Sequence, residues 1–137
     1  MIINFSSIIE QQPSTRLKAN EIHDVVLENV AISEGKKGDG STWHALDITF
    51  ANKDGQTYME RIFEITQMDL ERRKAQGANG QEYENPSSAE RKLATIAMIA
   101  NTFDHVSWEK MQKIEFNYPA DFMKMAQIFV KAMQKSL

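Results

Sequence analysis

Histidines are the first residues to consider for chemistry, because imidazole both binds metals and transfers protons near neutral pH. The three histidines, His23, His44 and His105, lie in three different parts of the chain. No two of them have the HxH, i, i+4 or HExxH spacing that brings ligands together on one element. The chain also has no Cys, which excludes thiolate ligands, a cysteine nucleophile and disulfide bonds. We therefore expect no metal site.

Other catalytic patterns are also missing from the sequence. There is no GxSxG motif, which would present a serine nucleophile. The glycines of residues 33–41 lack the GK[ST] continuation of a phosphate-binding loop, and a strand rather than a helix is predicted after them. Glu60 and Glu64 share one face of a predicted strand, where paired acids are more often solvated than catalytic. We expect a protein that is not an enzyme, with no catalytic residues and no cofactor.

Aromatic and basic residues favour binding to nucleic acid. Lys36 and Lys37 lie in the glycine-rich segment 33–41, Trp43 follows that segment, and Tyr58 lies in a later predicted strand. Proteins that hold single strands combine aromatic side chains, on which bases stack, with basic groups that contact the backbone. The sequence therefore indicates stacking on Trp43 and Tyr58. The alternative is that these aromatic residues are part of the hydrophobic core.

The charge of the chain argues against one class of nucleic-acid binding. The net charge is −3, from 16 basic and 19 acidic residues. Proteins that bind duplex DNA without sequence preference usually carry an excess of positive charge, because phosphate neutralisation drives that binding. Stacking supplements phosphate contacts, so single-strand binding remains open to a chain of modest charge.

Alternating apolar residues predict a sheet in the first half. Residues 22–32 change phase once, which predicts a long strand with a β-bulge or coil. Residues 42–50 and 56–65 predict a hairpin whose turn at 52–55 ends in Asp-Gly. Residues 2–9 could add a short strand or a docking arm. The apolar face of the first hairpin strand carries Leu46, Ile48 and Phe50.

Capping signals predict helices in the second half. Residues 66–75 indicate a short helix and residues 76–88 a long exposed loop. Ser87 and Glu90 have the spacing of a capping box, which opens a helix that ends near Phe103.

The last thirty residues contain a second helical signal. Ser107 is predicted to cap a shorter helix, residues 112–118 are ambiguous between strand and helix end, and Pro119 can start a final helix. The apolar stripe of that helix contains Phe122, Met125, Ala126, Phe129, Val130 and Met133. This stripe is either core or an exposed Met-rich partner surface. The second reading, like binding through a sheet edge, would make the protein an interaction or self-assembly module.

The chain length of 137 residues suits one domain. We expect a β-rich part over about residues 1–65 and a loop and helical part over about 66–137. The predicted fold class is α+β, with a curved antiparallel sheet followed by a helical half. No apolar run reaches the about 18 residues that a membrane helix needs, and residues 1–10 lack the basic start of a signal peptide, so we expect a cytoplasmic protein.

The sheet-forming region resembles a known family. The runs NEIHDVVLENVAI (20–32) and STWHALDITFANKDGQTYMERIFEI (41–65) flank the Lys/Gly loop, and a long loop and an amphipathic helix follow. This pattern resembles the single-stranded-DNA-binding proteins of tailed bacteriophages over about a third of the chain. The resemblance implies an OB-fold-like barrel. An OB fold has five strands, so the barrel here is expected to be incomplete or to recruit residues 2–9 and 112–118.

The resemblance also implies a function and partners. It implies binding of single-stranded DNA without strong sequence preference in phage replication or recombination, in the host cytoplasm. RNA, further copies of the chain and phage replication or recombination proteins are open as additional partners, and no membrane is implied. The expected nucleic-acid-binding residues are Lys36, Lys37, Trp43, Tyr58, Arg61, Arg72 and Arg73.

Overall fold

The computed structural model describes residues 1–5 and 24–137. The predicted first strand is present as β1 (Ile2–Ile3), and its predicted continuation over residues 6–9 lies outside the described residues. The first residues of the strand predicted at 22–32 also lie outside them, and so does His23. Phe5 is buried, with its ring against Trp108 and Phe116, so the start of the chain docks on the core.

An antiparallel sheet forms most of the β-rich part. Its strands, in spatial order, are β2 (Val26–Lys36), β3 (Thr42–Ala51) and β4 (Thr57–Phe63). The predicted hairpin is confirmed, and Gly55 in its turn has a φ of 79°, which favours glycine. The predicted bulge is confirmed between Leu27 and Asn29. Strand β2 runs to Lys36, so the segment predicted as a loop from residue 33 begins as strand.

The register assigns side chains to two faces, because paired residues project to the same side of a sheet. Trp43 pairs with Gly35, and Asp47 pairs with Arg61. We call their side the outer face; it carries Ser33, Gly35, Trp43, Ala45, Asp47, Met59, Arg61 and Phe63. The inner face packs on the helices with Val30, Leu46, Ile48 and Ile62, all buried.

Three helices follow the sheet along the chain. They are α1 (Ser88–Phe103), α2 (His105–Met111) and α3 (Phe122–Gln134). Helix α1 packs on the inner face, where its Phe103 ring lies against Phe50, and α3 contacts β2. The start and end predicted for α1 are confirmed, and both hydrogen bonds of the Ser87/Glu90 capping box are present. Leu93 and Ile96 of α1 are fully buried, as the apolar spacing of this helix requires.

Two predictions between the sheet and α1 are wrong. The helix predicted over residues 66–75 is only a single 3-10 turn, Met68–Leu70, and the loop predicted over 76–88 contains a β-ribbon. The strands of this ribbon are β5 (Lys74–Gln76) and β6 (Glu82–Glu84). Its turn contains Gly80 at a φ of 80°, so the glycines there close a hairpin.

The cap of α2 also differs from the prediction. Asp104, not Ser107, is the N-cap: its carboxylate accepts from the Ser107 amide at 3.1 Å and hydroxyl at 2.8 Å. The hydroxyl of Ser136, just beyond α3, donates to the same carboxylate at 2.7 Å. One side chain therefore joins the start of α2 to the end of the chain.

The final helix is core. Phe122, Met125, Phe129 and Met133 are each at most 1% exposed, so the core interpretation of this stripe is confirmed, and the alternative of an exposed Met-rich partner surface is wrong. The ambiguous segment before it contains β7 (Phe116–Asn117), which pairs with β1.

The fold is α+β with antiparallel sheets, as predicted. Within residues 1–5 and 24–137 the sheets are β2-β3-β4 and two two-stranded pairs, and none of them closes into a barrel, so an OB fold is not confirmed. In the same residues no helix combines the length and apolar character required to span a membrane.

Candidate nucleic-acid interface

Trp43 lies flat on the outer face at the end of the sheet nearest the β2–β3 turn. Its cross-strand partner is Gly35, and a Cβ at position 35 would overlap the indole ring. The glycine therefore makes room for the tryptophan on the sheet surface. The indole is half-buried, and it belongs to the outer face and not to the helix-packed core.

Arg61 is held beside the indole by Asp47. The guanidinium donates two hydrogen bonds to the Asp47 carboxylate, at 2.8 and 3.0 Å, and lies over the Trp43 ring, 5.5 Å from its centroid. The hydrogen bonds from Arg61 hold the pKa of Asp47 below its usual range. Arg61 can contact a phosphate only by sharing or leaving this carboxylate.

Phe63 is the most open aromatic side chain of the outer face. Its ring meets Trp43 edge-on, with centroids 5.3 Å apart and planes at 72°, and 47% of the residue is exposed. In this edge-to-face geometry Trp43 packs against Phe63 and stabilises its position. The exposed ring of Phe63 is then available to stack on a base. Sequence reasoning did not select Phe63, although its alternation with Arg61 placed both on one face of β4.

Tyr58 does not join this aromatic pair. It pairs with Phe50, whose side of β3 is the inner face, so Tyr58 and Trp43 lie on opposite faces of the sheet. The phenol is 63% exposed and donates to Glu60 at 2.8 Å, which raises the pKa of the tyrosine. The two expected stacking residues are not brought together.

The two lysines lie at the Trp43 end of the sheet. Lys36 ends β2, pairs with Thr42 on the inner-face side and contacts its hydroxyl at 3.3 Å, and Lys37 begins the following turn. Both side chains are exposed. The turn is ordered by Asp39, whose carboxylate accepts from the amide and hydroxyl of Ser41 at 2.9 and 2.6 Å.

Arg72 and Arg73 belong to a different part of the molecule. Arg72 makes two hydrogen bonds to Glu90, at 2.7 and 2.8 Å, and lies 3.6 Å from Glu84 of the ribbon. Burial alone would raise the pKa of Glu90, but bonds from Arg72 and Ser87 outweigh burial and lower it. Arg72 thus joins the ribbon to the start of α1, while Arg73 is exposed.

Acidic side chains of the sheet cluster on the inner face. Glu34 and Glu64 flank His44, each 3.4 Å from one of its ring nitrogens, and His44 follows the inner-face alternation of β3. Glu60 is also on the inner face. The outer face carries Asp47, whose charge Arg61 neutralises. An anion would meet less repulsion there than on the inner face.

The described residues contain no group of three or more His, Cys, Asp or Glu side chains that could hold a metal ion. Comparisons of the chain with protein-family models, with curated proteins and with solved structures found no match.

Proposed function

We propose that this protein binds single-stranded DNA without strong sequence preference, with the outer face of β2-β3-β4 as the binding surface. The observation that carries the proposal is the exposed ring of Phe63 beside Trp43. Both lie on the face where Arg61 neutralises the charge of Asp47. A base stacks on Phe63, and Trp43 supports that ring. Stacking of this kind accepts every base and needs little net charge.

Side chains at the Trp43 end of the sheet contact the sugar-phosphate backbone of the bound DNA. Lys37 is exposed in the turn there and supplies a phosphate contact, whereas Lys36 belongs to the inner-face alternation and meets the DNA only by reaching around the end of the sheet. Arg61 supplies a further contact when it releases Asp47. Arg73 lies on the ribbon side of the molecule. It contacts the phosphates of DNA that extends beyond the sheet.

Two residues named from the sequence have other roles in this proposal. Tyr58 lies on the opposite face, so the stacking role that was expected of Tyr58 is assigned to Phe63. Arg72 is engaged with the buried carboxylate of Glu90 and stabilises α1.

In this proposal the open sheet binds DNA through the same strands and loop that an OB fold uses. In an OB fold the second and third strands and the loop between the first two contact nucleic acid. The equivalents here are β3, β4 and the turn that contains Lys37. A stacking surface of this kind needs the face of the sheet and not a closed barrel. Its biological role is the coating of single strands in phage replication or recombination, alone or with further copies of the chain.

The decisive experiment is a tryptophan-fluorescence titration with oligothymidine at low and moderate salt, beside a duplex of equal length. We expect saturable quenching that weakens with salt and is much poorer with the duplex. Trp108 is 6% exposed, so the signal should come from Trp43. A Trp43→Phe variant should lose the quenching while retaining binding in an anisotropy assay. No response at low salt, where phosphate contacts are strongest, would refute the proposal.

A further inference from the structure

The outer face continues beyond Arg61 to a further set of aligned side chains. Asn29 of β2 pairs with Thr49 of β3, and Thr49 pairs with Met59 of β4. Paired residues project to the same side of a sheet, so these three side chains lie next to one another on the outer face. We call them the Met59 row.

The β-bulge decides which residue of β2 joins the Met59 row. Leu27 pairs with Phe50, so in an uninterrupted antiparallel ladder Glu28 would pair with Thr49. The bulge makes Glu28 the extra residue, and Asn29 lies opposite Thr49 instead. The row therefore contains a carboxamide, which donates and accepts hydrogen bonds, in the place of a carboxylate. Bulges beside functional sites often redirect a side chain in this way.

The side chains of the Met59 row are open to solvent and are not used in packing. Met59 is 47% exposed, as Phe63 is, and it lies outside the hydrophobic core. Asn29 is exposed, and the side chains of Asn29 and Thr49 have no hydrogen-bond partner in the described part of the chain. An apolar side chain thus lies beside unpaired polar groups. A nucleic-acid base, which has apolar faces and a polar edge, complements both.

The Met59 row lies within reach of a strand that is bound at Phe63. The two residues are four positions apart on one face of β4, which separates them by about 13 Å. Arg61 lies between them on the same face. Because nucleotides rise by about 3.4 Å each in a helical strand, and by more in an extended one, a segment of about five nucleotides or fewer reaches both.

We infer that the Met59 row is a second base-binding position, occupied by the same single strand whose first base stacks on Phe63; this inference rests on the proposed function. The second base lies over the short side chain of Thr49. Its face contacts the thioether of Met59, and its edge forms hydrogen bonds with the amide of Asn29. The backbone between the two bases passes Arg61.

Oligothymidines of two and six nucleotides, titrated into the full chain at low salt, test the inference. The dinucleotide reaches one position at a time and the hexamer reaches both, so the hexamer should bind more tightly than its larger number of alignments explains. Met59→Ala should weaken the hexamer by about three- to tenfold and leave the dinucleotide unchanged, because the dinucleotide stacks on Phe63. Phe63→Ala should weaken both. Anisotropy follows the hexamer, and NMR shift changes follow the dinucleotide.

Met68→Ala is the matched control, because Met68 is a 79% exposed methionine on the 3-10 turn. It should bind the hexamer like the parent protein. The methyl groups of the same two residues give a direct readout by NMR. The ring current of a base should move the Met59 methyl signal when the hexamer binds, and the Met68 signal should stay in place.

Asn29→Asp tests the contribution of the bulge. The variant restores a carboxylate to the row, which cannot donate to a base and repels phosphates. It should weaken the hexamer more than Asn29→Ala does. Asn79→Asp makes the same charge change in the turn of the ribbon and should have no effect, because Asn79 lies outside the outer face.

Three results would overturn the inference and leave the proposed function in place. They are equal affinity of Met59→Ala and the parent protein for the hexamer, a Met59 methyl signal that does not move at saturation, and a Met59 signal that moves with protein concentration in the absence of DNA. The third would assign the row to contacts between copies of the chain. If the parent protein binds neither oligonucleotide, the proposed function fails and the inference fails with it.

Discussion

Trp43 and Gly35 are direct cross-strand partners, and the indole occupies the space that a side chain at position 35 would need. Gly35→Ala should therefore displace Trp43 and lower the free energy of unfolding by about 1–3 kcal/mol. Urea denaturation measures the loss, and a shift of the tryptophan emission reports the displacement. Gly38→Ala is the matched control, because a Cβ there has nothing within 4 Å. Equal stability of the two variants would contradict the packing described for Trp43.

Phe63 should carry the stacking energy. Phe63→Ala should weaken oligothymidine binding by about 1–3 kcal/mol, the usual value for one stacked base. Anisotropy of a labelled oligothymidine measures this change. Tyr83→Ala is the control, since Tyr83 is exposed to a similar extent (50% against 47%) but lies on the ribbon. If both variants bind like the parent protein, the outer face is not the stacking surface.

Asp47 should limit the affinity for DNA. Asp47→Asn removes a negative charge and releases Arg61 from its two hydrogen bonds. We expect tighter oligothymidine binding and a log–log salt slope steeper by about 0.7, the contribution of one phosphate contact to a single strand. Glu60→Gln removes the same charge from the inner face, so it should leave the slope unchanged. A slope that Asp47→Asn does not change would mean that Arg61 makes no phosphate contact.

Glu90 should make stability depend on pH. Its pKa in the folded protein is below its ordinary value, so its contribution is complete above the unfolded-state pKa and is lost as pH falls through the folded-state pKa. Glu90→Gln should lower the free energy of unfolding by about 2 kcal/mol at pH 7, and the deficit should shrink under acid conditions. Urea denaturation across this pH range measures both values. Glu84→Gln, at the exposed ribbon contact of Arg72, should have little effect at either pH.

Met125 tests the assignment of α3 to the core. Met125→Ala should cost about 2–5 kcal/mol, because the side chain is fully buried. Met68→Ala should change stability by less than about 0.5 kcal/mol, because Met68 is 79% exposed. Thermal or urea unfolding compares the pair. A tolerated Met125→Ala would mean that the stripe is not packed as described.

Elements specified by neighbouring residues could be predicted from the sequence. The Asp54-Gly55 turn and the Ser87/Glu90 capping box each depend on residues within one turn of chain, and both formed as expected. The ribbon was missed because each of its three-residue strands has a single apolar residue, Ala75 in β5 and Tyr83 in β6, which is too few to show a period.

The candidate site was harder to predict because it depends on pairing between distant residues. Strand periodicity places Phe63 with Arg61 and Tyr58 with Glu60, but only the register with β3 shows which pair joins Trp43. Likewise, the contact between Arg72 and Glu90 joins residues 18 positions apart. Because of this contact Arg72, which the sequence led us to expect as a phosphate ligand, has a structural role.

The carboxylate of Asp104 is shared by the first turn of α2 and by Ser136 beyond α3. Fraying at the end of a helix ordinarily stays local, because the residues there have few bonds to the rest of the molecule. Here, loosening of the turn after α3 removes one of the bonds that orient the cap of α2, 32 positions earlier. The two helix ends should therefore open as one cooperative unit.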